Sequence, residues 1–210
     1  MKINYSDLVL NKNIQYTHNP FGGIDDEELL DIIDPKHSFE ELIKILNQDH
    51  PIIIQFLGKK GRGKTTHLRA LHQLISNSEI HFLDRNSYKK ITNPDNRNLL
   101  IDSVHHIPLR KRLQLWKSSN TSYVVTTHIP RNIEFLFCKR KYKTIHFKGL
   151  SLIKLESILK KRIAQYSSIE QNKVIIDTTA LKMLLKHYGD NIRGLLNFLY
   201  DCFKVEFYGY

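Results

Sequence analysis

The sequence predicts an α/β protein: a three-layer domain with a mainly parallel sheet, followed by a small all-helical segment. Short apolar runs alternate with helical or loop segments up to about residue 148, as in parallel-sheet domains. After Gly149 only helical periodicity remains. A glycine-rich loop also joins the first predicted strand directly to a helix. We therefore expect an N-terminal lead-in over 1–35, an α/β core over 36–148 and a helical lid over 149–210.

The lead-in is expected to be irregular, because Asn19-Pro20 and Gly22-Gly23 are turn sequences. An acidic stretch, Asp25-Asp26-Glu27-Glu28, follows them. The first core helix is predicted to begin after Ser38. Ser38 can cap that helix, and Glu41 stands three residues later, as in a capping box.

Apolar runs rich in β-branched residues predict five strands, at 52–57, 80–83, 99–102, 123–126 and 144–147. The connection between the second and third strands is short, polar and contains Pro94, so no full crossover helix is expected there. Beyond Gly149, we expect Ser151, Asp177 and Asp190 to cap three helices. Gly189 is expected to end the second of these helices.

The loop after the first strand, Gly58-Lys59-Lys60-Gly61-Arg62-Gly63-Lys64-Thr65, fits the pattern G-x-x-x-x-G-K-[ST] at every position. Its glycines allow successive backbone N–H groups to turn towards an anion, and the following helix adds its positive dipole end. Lys64, expected to be solvated without ligand, can reach the β- and γ-phosphates, and Thr65 can ligate Mg²⁺. The pattern predicts that a nucleoside triphosphate binds to Gly58, Lys59, Lys60, Gly61, Arg62, Gly63, Lys64, Thr65 and Thr66.

An acidic residue at the end of a buried strand is also expected, because Mg²⁺ needs a carboxylate near the phosphates. Asp102 ends the third predicted strand. Many ATPases place a Glu general base directly after this Asp, but here the residue is Ser103, which cannot accept a proton at neutral pH. His105 or His106 could substitute as the base, or both could be turn residues ahead of Pro108.

Two further places carry polar residues of interest. Thr127 and His128 end the fourth predicted strand and could contact the γ-phosphate or orient water, although strand ends are often polar. Arg193 falls in the first turn of a predicted helix, where a cation opposes the helix dipole. A nearby phosphate, a partner carboxylate or plain exposure would each account for it.

The chain carries 32 Lys and Arg against 21 Asp and Glu, a formal net charge of +11. Basic clusters at 110–112, 139–143 and 160–162 favour a polyanionic partner, most commonly nucleic acid, with solvated helix faces as the alternative. No run of 18 apolar residues predicts a membrane helix, and two cysteines predict neither a disulfide framework nor a zinc site. The N-terminus lacks a long apolar stretch, so a cytoplasmic location is expected.

Taken in order, these features resemble the AAA+ ATPase superfamily, most closely its clamp-loader and replication-initiator-like members, over residues 36–204. The resemblance implies ATP and Mg²⁺ as cofactors, with Gly58–Thr65 as Walker A, Asp102 as Walker B and Thr127 or His128 as sensor 1. Residues 137–151 resemble the clamp-loader segment that leads from an arginine finger to the lid, which suggests Arg140 as the finger. Residues 189–193 resemble a lengthened G-D-x-R sensor 2 motif, with Arg193 as the sensor. Asn19-Pro20-Phe21 resembles the lead-in of some transposition-type AAA+ regulators.

The resemblance implies a weak ATPase that assembles with ATP, as a homo-oligomer or with AAA+ partner subunits, and acts on DNA or a DNA-bound protein complex. Ser103 supports an alternative from another class, a non-hydrolysing ATP-dependent switch or adaptor that binds a protein partner. A small-molecule kinase is disfavoured by the helical C-terminal segment with Arg193 and by the lack of an acceptor-binding insertion. An ABC-type ATPase is disfavoured because no L-S-G-G-Q-like signature is present.

Overall fold

The computed structural model describes residues 4–11, 14–48, 50–85, 87–91, 98–118 and 120–208. They form two compact units. The α/β unit consists of the described residues of Pro35–Phe147, and the helical unit combines those of Met1–Asp34 and Lys148–Tyr210. The helices in chain order are α1 (Tyr5–Leu8), α2 (Leu29–Ile32), α3 (Phe39–Leu46), α4 (Lys64–Leu74), α5 (Leu109–Trp116), α6 (Asn132–Phe137), α7 (Leu152–Gln165), α8 (Thr178–Tyr188) and α9 (Ile192–Tyr208).

The α/β unit is built on a five-stranded parallel sheet. Its strands are β1 (Ile53–Leu57), β2 (Ser78–Phe82), β3 (Asn98–Asp102), β4 (Ser122–Thr127) and β5 (Tyr142–His146). The strand order is β2-β3-β4-β1-β5, and all four neighbouring pairs are parallel. The predicted fold class and all five predicted strands are therefore confirmed. Because the strands are parallel, their carboxyl ends lie along one edge of the sheet.

Alternate residues of the central strands pack into two separate cores. On one face Ile53 and Tyr123 pack with Trp116 and Phe135, and on the other Ile54 packs with helix α4 and its neighbours. Strands β1 and β4 are buried at every position, which explains why apolar residues do not alternate with exposed polar ones along them. Their polar residues, Gln55, Ser122, Thr126 and Thr127, are buried as well. Between β2 and β3 the described residues form a short 3₁₀ helix, Ser87–Lys90, and residues 92–97, which include Pro94, lie outside the described part.

The helical unit has its own core, to which the N-terminal segment contributes directly. Tyr5, Leu8 and Phe21 are buried against α7, α8 and α9, and Val9 forms an antiparallel bridge with Ile176. The expectation of an irregular lead-in therefore missed the short helices α1 and α2 and the packing of this segment. Of the described helices, none is long and apolar enough to cross a membrane.

The predicted helix caps are confirmed at three places. Ser38, Ser151 and Asp177 each accept a hydrogen bond from the backbone N–H three residues later. The prediction for Asp190 is wrong. Asn191 caps α9 instead, because its Oδ1 accepts from Gly194 N at 3.1 Å, while Asp190 Oδ2 accepts from Gly149 N at 2.9 Å.

Candidate nucleotide-binding site

The glycine-rich loop joins the end of β1 to the start of α4, as the sequence predicts. Gly63, directly before α4, has φ of 79°, a left-handed conformation that strongly favours glycine. A Cβ atom at Gly58 would lie only 2.5 Å from the Phe147 carbonyl oxygen, so a larger residue cannot fit there. The loop therefore requires glycine at both positions, and its last residues lead into the N-terminus of an 11-residue helix. Such an N-terminus favours an anion.

Lys64 is not solvated, contrary to the expectation from the sequence. Its side chain is buried, with 6% exposure, and its Nζ donates to the carbonyl oxygens of Gly58 and Lys59, both at 2.8 Å. The loop carbonyls thus satisfy the ammonium group from within. A phosphate bound in the loop would compete with these carbonyls for the donors of Lys64. Lys59 and Lys60, by contrast, are exposed.

Asp102 lies at the carboxyl end of β3 and meets the start of α4. Its Oδ1 accepts from Thr65 Oγ1 at 3.0 Å and from Thr126 Oγ1 at 2.7 Å. Thr126 in turn accepts from the backbone N–H of Ser103 at 2.8 Å. The two oxygens predicted to ligate Mg²⁺, on Thr65 and Asp102, are therefore in contact.

These oxygens fit Mg²⁺ in their chemistry, because Mg²⁺ binds through one or two protein oxygen groups together with phosphate and water. Within the described residues, no group of three or more His, Cys, Asp or Glu side chains could hold a metal ion. Two protein oxygens suit an ion that arrives with a nucleotide, because the phosphates and water would supply its other ligands.

Thr126 is the residue that the sequence analysis missed. It is buried in β4, next to β3, and its hydroxyl links the Asp102 carboxylate to the turn after it. The signal was present in the sequence, because Thr126 directly follows the buried run Tyr123–Val125 and is itself followed by two more polar positions. Only the parallel register of β3 and β4 shows which of these positions faces Asp102.

The two sensor 1 candidates differ in their surroundings. Thr127 is buried, and its hydroxyl donates to the Ile129 carbonyl, which closes the turn after β4. His128 reaches the loop, with Nδ1 2.9 Å from the Gly58 carbonyl oxygen and 3.5 Å from Lys64 Nζ. Because a carbonyl oxygen only accepts, Nδ1 of His128 must carry the proton in the Gly58 contact. A neutral His128 then keeps a lone pair on Nε2.

Ser103 and the histidines that follow it occupy a tight turn. Ser103 has φ of 61°, and Val104–His106 form a single 3₁₀ turn. The His105 ring centroid lies 5.2 Å from that of His128 and 4.2 Å from that of His106. Burial lowers the pKa of His105, and the nearby charges of His106, His128 and Arg131 lower it further against the opposing effect of Asp102. His105 is therefore neutral at pH 7 and able to accept a proton.

Arg140 is engaged within its own chain. Its guanidinium donates to the carbonyl oxygens of Ser118 and Thr121, the latter at 2.6 Å, and lies 5.9 Å from the centre of the Tyr123 ring. These contacts are near the start of β4, at the opposite end of that strand from Thr126 and His128. An arginine finger acting on a neighbouring subunit would first have to leave these carbonyls.

Arg193 is exposed in the first turn of α9, in the helical unit. Its role as sensor 2 stays a prediction.

In two of the three basic clusters, most side chains are buried or form contacts within the protein. This corrects the expectation that all three clusters are cationic surfaces. Arg112 is buried and paired with Glu134 at 2.6 Å, and Lys111 donates to the Tyr88 carbonyl. Arg162 is also buried, and burial lowers its pKa to about 10. Lys161 donates to the Ile33 carbonyl. Exposed cations remain mainly in the third cluster, at Lys139 and Lys141.

Comparisons with known proteins support the fold. No family model and no curated protein matches the chain. A solved structure described as that of a DNA replication initiation factor is similar to it, with a TM-score of 0.52 and 15% sequence identity. The match covers 86% of this chain but only 64% of that protein, so this chain spans less than two thirds of it. At this identity the similarity shows the fold alone, an α/β domain with a parallel sheet and a helical C-terminal part.

Proposed function

We propose that this chain is an AAA+ type ATP-binding protein and a weak ATPase that assembles with ATP and acts on DNA or a DNA-bound protein complex. One observation carries the nucleotide assignment: Thr65 Oγ1 at the loop lies 3.0 Å from Asp102 Oδ1. These residues are 37 positions apart in the chain, yet they meet as the two oxygen donors that a nucleotide-bound Mg²⁺ requires. The replication-factor-like fold supports the same assignment.

The loop would bind the phosphates through its backbone N–H groups and the dipole of α4. Lys64 would transfer its donors from the carbonyls of Gly58 and Lys59 to the β- and γ-phosphates. Thr65 and Asp102 would hold Mg²⁺, which neutralises charge that develops on the phosphates during transfer. Lys64 would thus exchange hydrogen bonds within the protein for hydrogen bonds to the nucleotide. Thr65 and Asp102 would exchange the hydrogen bond between them for coordination of the ion.

Slow hydrolysis follows from the residue after Asp102. Ser103 offers no proton acceptor at neutral pH, and its Oγ lies 3.3 Å from Asp102 Oδ2. The imidazoles of His105 and His128, whose ring centroids lie 5.2 Å apart, are the nearby groups that could orient or deprotonate water. If neither does so, the chain is a non-hydrolysing ATP-dependent switch, which is the second candidate function.

Calorimetric titration with ATP and Mg²⁺ tests the nucleotide assignment. Lys64→Ala should weaken ATP binding by at least about a hundredfold, because it removes two or more charge-assisted hydrogen bonds. Lys44→Ala, at an exposed position of α3 outside the loop, is the matched control and should bind as wild type. Because Lys64 is buried, its loss also leaves two loop carbonyls without this donor, so circular dichroism must show an intact fold. Unchanged ATP affinity in a folded Lys64→Ala protein refutes the assignment.

Turnover of ATP separates the two candidate functions. A slow rate that Asp102→Asn abolishes supports the ATPase, whereas tight ATP binding with no turnover supports the switch.

Binding to DNA is supported by the net charge of +11. With two basic clusters largely internal, we expect few phosphate contacts and therefore a shallow dependence of affinity on salt, about −0.9 in log–log slope per contact. Fluorescence anisotropy with labelled duplex, with and without ATP, measures this slope. ATP should tighten binding if assembly brings several subunits to one DNA. No affinity at low salt would leave the protein-partner alternative.

A further inference from the structure

Helix α6 exposes three of its four apolar side chains and directs its carboxylate inwards. Ile133, Leu136 and Phe137 lie at i, i+3 and i+4, and their side chains are 84%, 61% and 70% exposed. We call these three residues the α6 face. Amphipathic helices of monomeric proteins normally show the reverse pattern, with the apolar stripe towards the core.

The inward side of α6 is fixed by an ion-pair network. Glu134 accepts from Arg112 at 2.6 and 2.9 Å and from Trp116 Nε1 at 3.1 Å, while Arg131 Nη1 lies 3.2 Å from it. Phe135 is fully buried in the same core. These contacts fix the orientation of the helix about its axis, so the α6 face cannot turn inwards without breaking a buried ion pair.

The residues next to α6 in the chain are exposed as well, with an apolar side chain before the helix and charged ones after it. Ile129, just before the helix, is 61% exposed. Lys139 and Lys141, just after it, are exposed as well. Contiguous exposed apolar surface beside a charged rim is typical of a protein interaction site. A complementary partner would present apolar side chains among carboxylates.

Such a surface exists on the helical unit of this chain. Six of the 21 acidic residues lie between Asp25 and Asp34, and no Lys or Arg lies between Lys12 and Lys36. Glu28 and Asp34 contact Tyr166 and Lys154 within the unit. The residues Asp25, Asp26, Glu27, Leu30 and Asp31 are exposed to solvent. We call residues 25–31 the acidic segment, and Leu30 supplies its exposed apolar side chain.

We propose that the α6 face of one copy of this chain docks on the acidic segment of a second copy. Two copies that each carry a net charge of +11 repel one another, so a stable contact between them has to match opposite charges locally. The contact joins two different surfaces and is therefore heterologous, so it repeats from copy to copy into a ring or a filament. It rests on the proposed assembly of the chain but does not require nucleotide binding.

The apolar and charged parts of this contact contribute differently. Burial of Ile133, Leu136 and Phe137 supplies most of the affinity, because fully desolvated apolar anchors dominate binding energy. Lys139 and Lys141 set orientation and speed association, and salt screens their effect.

Sedimentation velocity over a concentration series, with and without ATP, tests the contact through charge reversal. Lys139→Glu/Lys141→Glu and Asp25→Lys/Glu27→Lys should each weaken self-association at least about tenfold. An equimolar mixture of the two variants should associate again, because the reversed α6 rim of one meets the reversed acidic segment of the other. Ile133→Asp should weaken association by about ten- to a hundredfold.

Matched controls make the same chemical changes on α8 and α7. Lys182→Glu/Lys186→Glu changes the net charge equally at exposed positions, and Ile153→Asp alters a side chain that is 81% exposed. Both should associate as wild type.

The outcomes separate this contact from the proposed function. If both charge-reversal variants self-associate as strongly as wild type, the proposed contact is refuted and the proposed assembly is not. A wild type that stays monomeric with ATP refutes both, and if Ile133→Asp then abolishes binding to anionic vesicles, a lipid surface covers the face instead. ATP affinity, measured on the same variants, stays unchanged in every case where the nucleotide assignment holds.

Discussion

Replacing Thr126 by Val should destabilise the α/β unit and weaken its Mg²⁺-dependent ATP binding. Val has almost the shape of Thr, so the substitution removes the hydroxyl without opening a cavity. That hydroxyl donates to Asp102 Oδ1 at 2.7 Å and accepts from Ser103 N at 2.8 Å. Thr126 is buried, so water does not replace either partner freely.

The magnitude follows from the two contacts that are lost. A hydrogen bond to a charged group contributes about 1.5–3 kcal/mol, and an unpaired buried N–H costs about 1–3 kcal/mol. Asp102 keeps its contact with Thr65, which moderates the loss at the carboxylate. Ser103, at φ of 61°, loses the hydrogen bond to Thr126 that holds its left-handed turn. We therefore expect the free energy of unfolding to fall by about 2–4 kcal/mol.

Urea denaturation followed by tryptophan fluorescence measures this change in the α/β unit. Trp116 is the chain's one Trp, and it lies fully buried in the core that includes β3 and β4. Thr126→Ser keeps the hydroxyl and is the control, with an expected loss of about 1 kcal/mol for the missing methyl. If the free energy of unfolding of Thr126→Val lies within about 0.5 kcal/mol of the wild-type value, the hydroxyl does not stabilise the turn after Asp102 and the reasoning is wrong.

Two further predictions concern the ion pair and the base. Glu134→Gln should cost about 3–5 kcal/mol at pH 7, because Arg112 stays buried without its counter-charge. Burial raises the pKa of Glu134, but Arg112, Trp116 and Arg131 lower it more, so its net shift is downward. The stability from this pair is therefore present above the ordinary Glu pKa and lost as pH falls through the lower folded pKa, and denaturation curves of the two proteins should converge there. Ser103→Glu should raise ATP turnover only modestly, because the positive φ of 61° at this position strains the backbone of a Glu residue. A wild-type rate of about 10 per second would show that another group is already the base. His105→Gln would then test whether that group is His105.

Much of the fold was predictable because its signals are local. The β1 and β4 runs are apolar and β-branched since both strands are buried on two faces, and the glycines of the loop mark the turn between β1 and α4. The position of Asp102 at the end of a strand was predictable as well, because three apolar residues directly precede it. These features depend on the sequence within a few residues.

The errors arose where a residue's role depends on distant partners. Arg112 and Arg162 stand in basic clusters of the sequence, yet both are buried, one beside Glu134 and the other beside the Gly22 carbonyl. Lys64 is buried for a similar reason, because the loop carbonyls are its partners. A run of Lys and Arg specifies charge but not the direction of each side chain, and that direction is set by packing across the fold.

The end of β4 connects the two halves of the candidate site. Thr126 contacts Asp102, and His128 contacts the Gly58 carbonyl, which also accepts from Lys64. A phosphate that withdrew Lys64 would leave His128 as the side-chain donor to Gly58, and a Mg²⁺ that bound Asp102 would compete with Thr126 for the carboxylate. Both ligands would therefore act on residues two positions apart, Thr126 in β4 and His128 just after it. That coupling gives a physical reason to expect the tip of β4, rather than Arg140, to respond first when nucleotide binds.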